Sequence, residues 1–270
     1  MSAPSPVAVG TVQVGGPDLV LIAGPCVLEG ADFTLRLAEA LRDRCARLGL
    51  PLIFKASFDK ANRTSAASLR GPGLDEGLAL LARVRGEVGL PVTTDVHLPD
   101  QAAPVAEVAD LLQVPAFLCR QTDLLLACAA TNRPVNVKKG QFMAPGAMGA
   151  VLGKLAPGRA IFTERGTTFG HGDLVVDLRG LPVMRALGAP VCMDATHACQ
   201  RPPTGEPTTG GQRAMIPVLA RAAVAGGVDA LFLEVHPDPD RAPCDGANML
   251  PLEELEALLG QVVAIREVLR

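Results

Sequence analysis

PLIFKASFDKANRTS, residues 51–65, changes character at its fifth position. Pro51, Leu52, Ile53 and Phe54 are apolar in succession, without the alternation of a half-exposed strand. That pattern marks a strand covered on both faces, as in a parallel sheet flanked by helices. The next eleven residues then bring Lys55, Ser57, Lys60, Asn62, Arg63, Thr64 and Ser65 together. The strand ends where polar chemistry begins.

The same grammar recurs along the chain. Continuous apolar runs occupy residues 20–27, 51–58, 91–97, 111–117, 135–142, 161–165, 190–197 and 231–236. Between them lie segments with helical periodicity. Residues 32–48 put Phe33, Leu37, Ala40, Leu41 and Leu48 on one face and Arg36, Glu39, Arg42 and Asp43 on the other. Residues 74–88 and 252–269 behave alike, and shorter candidates fall at 99–109, 122–131, 146–155, 181–187 and 212–226. Eight strands, each followed by a helix, predict a single-domain (β/α)8 (TIM) barrel over residues 20–270. Residues 1–19 read as a leader forming a short strand or hairpin outside the barrel, with a small strand at 11–14 and a turn at Gly15-Gly16. A doubly wound open sheet is the competitor. It usually has fewer strands and often a Gly-rich nucleotide turn, whereas Gly24 here is followed by Pro-Cys-Val-Leu-Glu-Gly with no GxGxxG.

Composition narrows the function. An apolar fraction of 49% supplies a large core, and a net charge of −3 gives no global attraction to nucleic acid or anionic membrane. Without Trp or Tyr the chain lacks most stacking platforms for single strands. No apolar stretch approaches the ~20 residues that span a bilayer; the best, 219–235, is interrupted by Arg221 and Asp229. The first ten residues have neither a basic nor an apolar targeting region, so none is expected. Seven cysteines, an odd number without CxxC, read as reduced thiols in the cytoplasm.

The barrel reading makes the strand ends informative. In order they carry Cys26 and Glu29; Lys55 and Lys60; Asp95 and His97; Gln113; Lys138, Lys139 and Gln141; Glu164 and Arg165; Asp194 and His197; Glu234 and His236. In a closed parallel barrel these ends share one face, where the active sites of such enzymes lie. The chain has five lysines against twenty arginines, and four of the five follow two of the apolar runs. A compact ammonium is kept where a forked guanidinium cannot replace it. Lys55, Lys60, Arg63, Lys138 and Arg165 are expected around one cavity, and like charges a few ångströms apart repel by roughly 1 to 4 kcal/mol depending on dielectric. A multiply anionic ligand is the expected partner; structural pairing with Glu164, Asp59 and Asp95 is the alternative.

Metal ligands form a second set. Cys26, His197 and Glu234 end the first, seventh and eighth strands, neighbours around a closed barrel, and Asp245 lies in the loop after the eighth. A thiolate, an imidazole and carboxylates suit one divalent transition metal (Fe, Zn, Mn or Co) better than Mg or Ca. His236, His97, His171, Cys199 and Cys244 compete for the same role. Residues 198–211 and 237–250 are long Pro- and Gly-rich connections at the same face, expected to be lids or binding loops. No nucleophile elbow, HExxH or P-loop is present.

Eight ordered motifs between residues 18 and 260 resemble one family, the 3-deoxy-D-manno-octulosonate 8-phosphate synthases. They are LIAGPCVLEG (21–30), FKASFDKANRTS (54–65), TDVH (94–97), QVPAFLCRQTDLL (113–125), NVKKGQFMAP (136–145), TERGTTFG (163–170), DATHACQ (194–200) and FLEVHPDPDRAPCDGANMLPL (232–252). The resemblance implies condensation of phosphoenolpyruvate with arabinose 5-phosphate, releasing phosphate, for lipopolysaccharide precursors. It implies that Lys55, Ser57 and Lys60 bind the phosphoenolpyruvate carboxylate side. Lys138, Arg165 and the backbone at Ala116 take its phosphate, with Gln113 lining that pocket. Arg63, Thr64 and Ser65 clamp the sugar phosphate, while Asn62 and Asp95 meet sugar hydroxyls. Lys60, Asn62, Lys138, His197 and Asp245 carry the catalysis. An arginine matching Arg120 reaches a neighbouring subunit's site, which implies a homotetramer. Cys26 in the Gly-Pro-Cys turn, where metal-independent members carry Asn, implies the metal-dependent class with ligands Cys26, His197, Glu234 and Asp245. Related shikimate-pathway synthases, which use erythrose 4-phosphate, carry Lys-Pro-Arg-Thr-Ser where this chain has Lys60-Ala61-Asn62-Arg63-Thr64-Ser65; the Ala-Asn pair favours the longer sugar. A catalytically silent phosphosugar-binding barrel is the reading from another class. The departures are His171-Gly172-Asp173 for a more usual Tyr-Asn-Asn, Thr64 for Ser, and Arg201-Pro202-Pro203 in the 198–211 loop.

Overall fold

Every apolar run forms a strand in the computed structural model, which describes residues 4–62, 68–201 and 210–269. An antiparallel hairpin, β1 (Val7–Val9) and β2 (Val12–Val14), comes first. Six barrel strands follow: β3 (Val20–Gly24), β4 (Leu52–Lys55), β5 (Val92–Asp95), β6 (Leu111–Val114), β7 (Val135–Lys138) and β8 (Ala160–Glu164). A short hairpin, β9 (Thr167–Thr168) and β10 (Leu174–Val175), leads to barrel strand β11 (Val191–Asp194). A second, β12 (Gln200–Arg201) and β13 (Gly210–Gly211), precedes the last barrel strand, β14 (Ala230–His236), whose end adds β15 (Leu250–Pro251). All neighbours around the ring are parallel, and β14 closes it by pairing Ala230 with both Cys192 and Val20.

Eight helices alternate with the barrel strands: α1 (Ala31–Arg47), α2 (Leu74–Arg83), α3 (Ala102–Val108), α4 (Thr122–Ala130), α5 (Met148–Leu152), α6 (Gly180–Arg185), α7 (Ile216–Ala225) and α8 (Leu252–Val268). The buried stripe of α1 is Thr34, Leu37, Ala38, Leu41 and Cys45, one position round from the expected face. Phe33 lies at its edge and stacks on His236 instead. Residues 84–88 continue α2 as a wider π-helical turn.

Strand side chains alternate between two surfaces, and so does the core. Leu21, Ala23, Leu52, Phe54, Leu112 and Val114 belong to the layer shared with the helices. Val20, Ile22, Ile53, Leu111, Ile161, Cys192, Ala230 and Phe232 fill the lower interior together with Val7, Val9, Val12 and Val14. The hairpin therefore plugs the N-terminal end of the barrel. A short strand or hairpin was expected here, with a strand at residues 11–14; the partner at Val7–Val9 was not placed, and the turn lies at Gly10-Thr11 rather than Gly15-Gly16. A three-residue strand in a mostly polar leader gives too short a pattern to read.

Candidate active site

The inward positions nearest the C-terminal strand ends are charged: Lys55, Asp95, Lys138, Asp194 and Glu234, all buried. Above them opens a cavity of about 700 Å³. Lys55, Lys60, Lys138 and Arg165 line it, as do Asp95 and His197, and loops contribute Asn62, Ala116 and Asp245. Lys139 takes no part. Its ammonium lies among Glu164 Oε1 (3.5 Å), Thr167 Oγ1 (3.1 Å) and the carbonyls of Gly140 and Met143, because adjacent strand residues face opposite ways.

The cations are not left to repel one another. Lys55 Nζ lies 2.6 Å from Glu234 Oε1 and 3.1 Å from the Cys26 carbonyl, and Lys60 Nζ lies 3.6 Å from the same Glu234 oxygen. Lys138 Nζ is 2.6 Å from Asp194 Oδ2 and 3.8 Å above the Phe232 ring. Among the described residues Lys55, Lys60, Lys138 and Arg165 are matched by Asp95, Asp194, Glu234 and Asp245; Arg63, the fifth cation expected here, lies outside them. The direct ion pairs are with Glu234 and Asp194; of the carboxylates of the alternative reading, Asp95 acts through its field on Lys60, Asp59 pairs with Arg70 and Glu164 with Lys139. Burial opposes ionisation of Glu234, Asp194 and Asp95. Lys55 and His197 dominate the opposing field at Glu234, His197 and Lys138 at Asp194, and Lys55 and Lys60 at Asp95, and all three carboxyls are held below the ordinary range. Burial likewise opposes the Lys60 charge, but Cys26, Glu234 and Asp95 outweigh it and raise its pKa. Arg165 is buried, which lowers its pKa; one guanidinium nitrogen donates to Gln200 Oε1, and Nη1 has no hydrogen-bond partner among the described residues.

A thiol and two carboxylates meet at one edge of this cavity. Ligand atoms of Cys26, Glu234 and Asp245 lie within 4.8 Å of one another, with Cys26 Sγ 3.3 Å from Asp245 Oδ2. His197 Nε2 is 3.5 Å from Glu234 Oε1. Its Nδ1 lies 2.7 Å from Asp194 Oδ2, and its backbone N–H donates to Asp194 Oδ1 at 2.8 Å. Nδ1 is thus held on Asp194 while Nε2 faces Glu234 and the open side, the carboxylate–imidazole arrangement that metal-binding histidines use once Nε2 gives up its proton. The donor set fits a divalent transition metal. Burial, a hydrogen bond with Cys244 and the Glu234 charge raise the Cys26 pKa well above the usual thiol value. A coordinated cation reverses that balance.

The competing residues differ in their surroundings. His236 Nδ1 accepts from the Asp238 N–H at 2.9 Å while Nε2 faces Glu29 at 3.3 Å; Cys199 donates to the Ala195 carbonyl; His171 is exposed. His97 lines the cavity edge-on to Phe58. Cys244 lines it beside Cys26.

Not every expected site residue reaches the cavity wall. Ser57 and Gln113 are fully buried beneath Asp95 and donate to its two oxygens, each at 2.6 Å. Arg120 is exposed and lies outside the cavity of its own chain. Arg63, Thr64 and Ser65 fall outside the described residues, as do 202–209 of the 198–211 loop. The 237–250 connection, expected as a loop without structure of its own, contains two 3-10 turns (Pro239–Arg241 and Gly246–Asn248) and β15, and walls one side of the cavity. Arg213 pins it through Asp240 Oδ1 (2.7 Å) and the Gly246 carbonyl (2.6 Å). Sequence reasoning gave Asp194 no role beyond ending a strand; its bond to Lys138 depends on β7 and β11, separated by β8, turning both side chains inward, while its bonds to His197 are local. Gln200, which holds Arg165, carried no signal beyond its place after the seventh strand.

A model of the DAHP synthetase I family matches residues 5–269. The chain belongs to that family. Several curated relatives in it are close. The "2-dehydro-3-deoxyphosphooctonate aldolase" of a Synechococcus strain is 58% identical over 255 residues, covering 93% of this chain and 90% of the relative. Those of the same name from Trichlorobacter lovleyi and Rhodopseudomonas palustris are 54% and 57% identical, covering 97% and 95% of this chain and 98% and 92% of their own lengths. The parallel closed barrel accounts for the placement of the polar constellation at its C-terminal mouth.

Proposed function

We propose that this member of the family condenses phosphoenolpyruvate with D-arabinose 5-phosphate and water, giving 3-deoxy-D-manno-octulosonate 8-phosphate and inorganic phosphate for lipopolysaccharide precursors. The observation that carries the reading is the gathering of Lys55, Lys60, Lys138 and Arg165 in one cavity, with Arg165 Nη1 lacking a hydrogen-bond partner among the described residues. Such a site takes a phosphate and a carboxylate together. The printed name of the relatives, a phosphorylated eight-carbon 3-deoxy acid, supports the five-carbon sugar as co-substrate.

Lys138, Arg165 and Ala116 hold the phosphate of phosphoenolpyruvate, and Lys55 and Lys60 hold its carboxylate. Asn62 and Asp95 meet the sugar hydroxyls, and Arg63, Thr64 and Ser65 its phosphate. C3 of the enol then bonds to the sugar aldehyde, water adds at C2, and phosphate departs with the C–O electrons. Preorganised ammonium and guanidinium groups stabilise the charge that develops. Cys26, His197, Glu234 and Asp245 would hold one divalent transition metal. When bound, it supplies Lewis-acid polarisation of an aldehyde or a water. With Glu234 committed there, Lys55 and Lys60 are left to the enol acid.

Seven cysteines, all unpaired and buried, support a cytoplasmic enzyme. No helix among the described residues is long and apolar enough to cross a membrane. We read the assembly as a homotetramer in which Arg120 serves a neighbouring subunit; its exposure supports this.

The family's printed description keeps erythrose 4-phosphate as the rival sugar. Phosphate release from phosphoenolpyruvate with each sugar phosphate, before and after dialysis against a strong chelator, tests both points. Turnover with arabinose 5-phosphate, lost on chelation and restored by added divalent metal, is expected. Preference for erythrose 4-phosphate overturns the substrate, full activity after chelation overturns the metal, and no release with either leaves a binding barrel.

A further inference from the structure

One layer beneath the cavity, four successive strands each send a polar side chain into the barrel: Asp95 from β5, Gln113 from β6, Asn136 from β7 and Thr163 from β8. The strand register sets Asp95 beside Gln113, and Gln113 beside Asn136. Ser57 Oγ donates to Asp95 Oδ2 at 2.6 Å and Gln113 Nε2 to Asp95 Oδ1 at 2.6 Å. Asn136 Nδ2 donates to Gln113 Oε1 at 3.0 Å, and Thr163 Oγ1 to Asn136 Oδ1 at 2.6 Å. Asn136 and Thr163 are completely buried, and neither lines the cavity.

The direction of this chain is forced from one end. An ionised carboxylate only accepts hydrogen bonds, and although burial opposes it, Lys55 and Lys60 keep Asp95 ionised. Gln113 must therefore turn its amino group to Asp95 and its oxygen to Asn136. Asn136 must then turn its amino group to Gln113 and its oxygen to Thr163, which has to donate. Every bond points toward Asp95, and aligned bonds polarise one another. Reversing either amide would set oxygen against oxygen in a site without water exposure.

We infer that Asn136 and Thr163 are positioning residues for the sugar site: they lock the Gln113 amide, and through it present the Asp95 carboxylate as a fixed acceptor at the cavity floor. The inference rests on Asp95 as partner of a sugar hydroxyl. It assigns a task to two residues that sit inside apolar runs and touch no substrate.

Thr163→Val keeps the shape and removes the terminal donor, while Thr163→Ser keeps the donor. The valine variant is expected to raise the KM for arabinose 5-phosphate roughly five- to twentyfold, the factor one lost hydrogen bond carries. The KM for phosphoenolpyruvate should stay within about twofold, and serine should restore the first value. Parallel rises in both KM values, no rise in either, or a serine variant as poor as valine overturns the inference. A second measurement needs no substrate. Thr163→Val is introduced into wild type and into Asp95→Asn, where an amide replaces the carboxylate that dictates direction, and urea midpoints are compared. A smaller shift in the Asp95→Asn background is expected, and equal shifts overturn the coupling. Wild-type turnover in the same assay separates the two failures: a wild type inactive with arabinose 5-phosphate removes the substrate reading, and the urea cycle still decides the orientation.

Discussion

Lys138 makes three contacts at once, to Asp194 Oδ2 at 2.6 Å, His197 Nδ1 at 3.4 Å and the Phe232 ring at 3.8 Å. Its ammonium is fixed before any anion arrives, which is the condition for electrostatic catalysis. Lys138→Ala is expected to cost about 2–4 kcal/mol of transition-state stabilisation, read as kcat/KM for phosphoenolpyruvate. A near-normal value would mean that the phosphate is held elsewhere. Lysine scarcity made this residue legible in the sequence, because a chain that prefers arginine has a reason for each lysine it keeps. The same scarcity misled at Lys139, whose neighbourly position hides the half-turn that sends it to Glu164. Asp194, Asn136 and Thr163 were not legible as working residues. The partners of Asn136 and Thr163 come from neighbouring strands and the Lys138 partner of Asp194 from the strand beyond β8, so only the folded sheet brings them within hydrogen-bond distance.

Among elements, the connection after β14 is the most constrained. Asp245 sits at φ 51, an uncommon backbone for a non-glycine residue, and is followed by Gly246, where a Cβ would lie 2.1 Å from the Pro239 carbonyl oxygen. Gly246→Ala must therefore move one 3-10 turn against the other and carry Asp245 with it. A fall of about tenfold or more in divalent-metal affinity is expected, the scale seen when supports of metal ligands are lost. Equilibrium dialysis with elemental analysis measures it, and unchanged affinity would show that the turn yields without moving Asp245. The eight barrel strands were legible because continuous apolar runs have one meaning in a covered parallel sheet. Of the two- and three-residue strands, the one at residues 11–14 was read and the others were not. Their pairing comes from contact with the barrel mouth or floor, and so few residues carry no period.

At the scale of the molecule, two faces remain to be tested. Phe117, Phe142 and Phe169 are exposed, and Arg120 lies close in sequence to the first of them. Sedimentation is expected to give four chains of 28.0 kDa, with Arg120→Ala assembled but lower in kcat/KM. A fully active monomer removes the intersubunit role. At the other end, Val14 is buried in the hairpin plug. Val14→Ala is expected to cost about 1–3 kcal/mol of stability, seen as a lower thermal midpoint with kcat unchanged, since the plug lies at the opposite end from the cavity. A loss of kcat at temperatures where the variant is folded would mean the floor and the mouth are coupled. The packed lower interior and the plug together leave the cavity opening at the C-terminal mouth. Both substrates must enter, and sugar acid and phosphate must leave, through the same opening, so an occupant lingering there delays arrivals and departures alike.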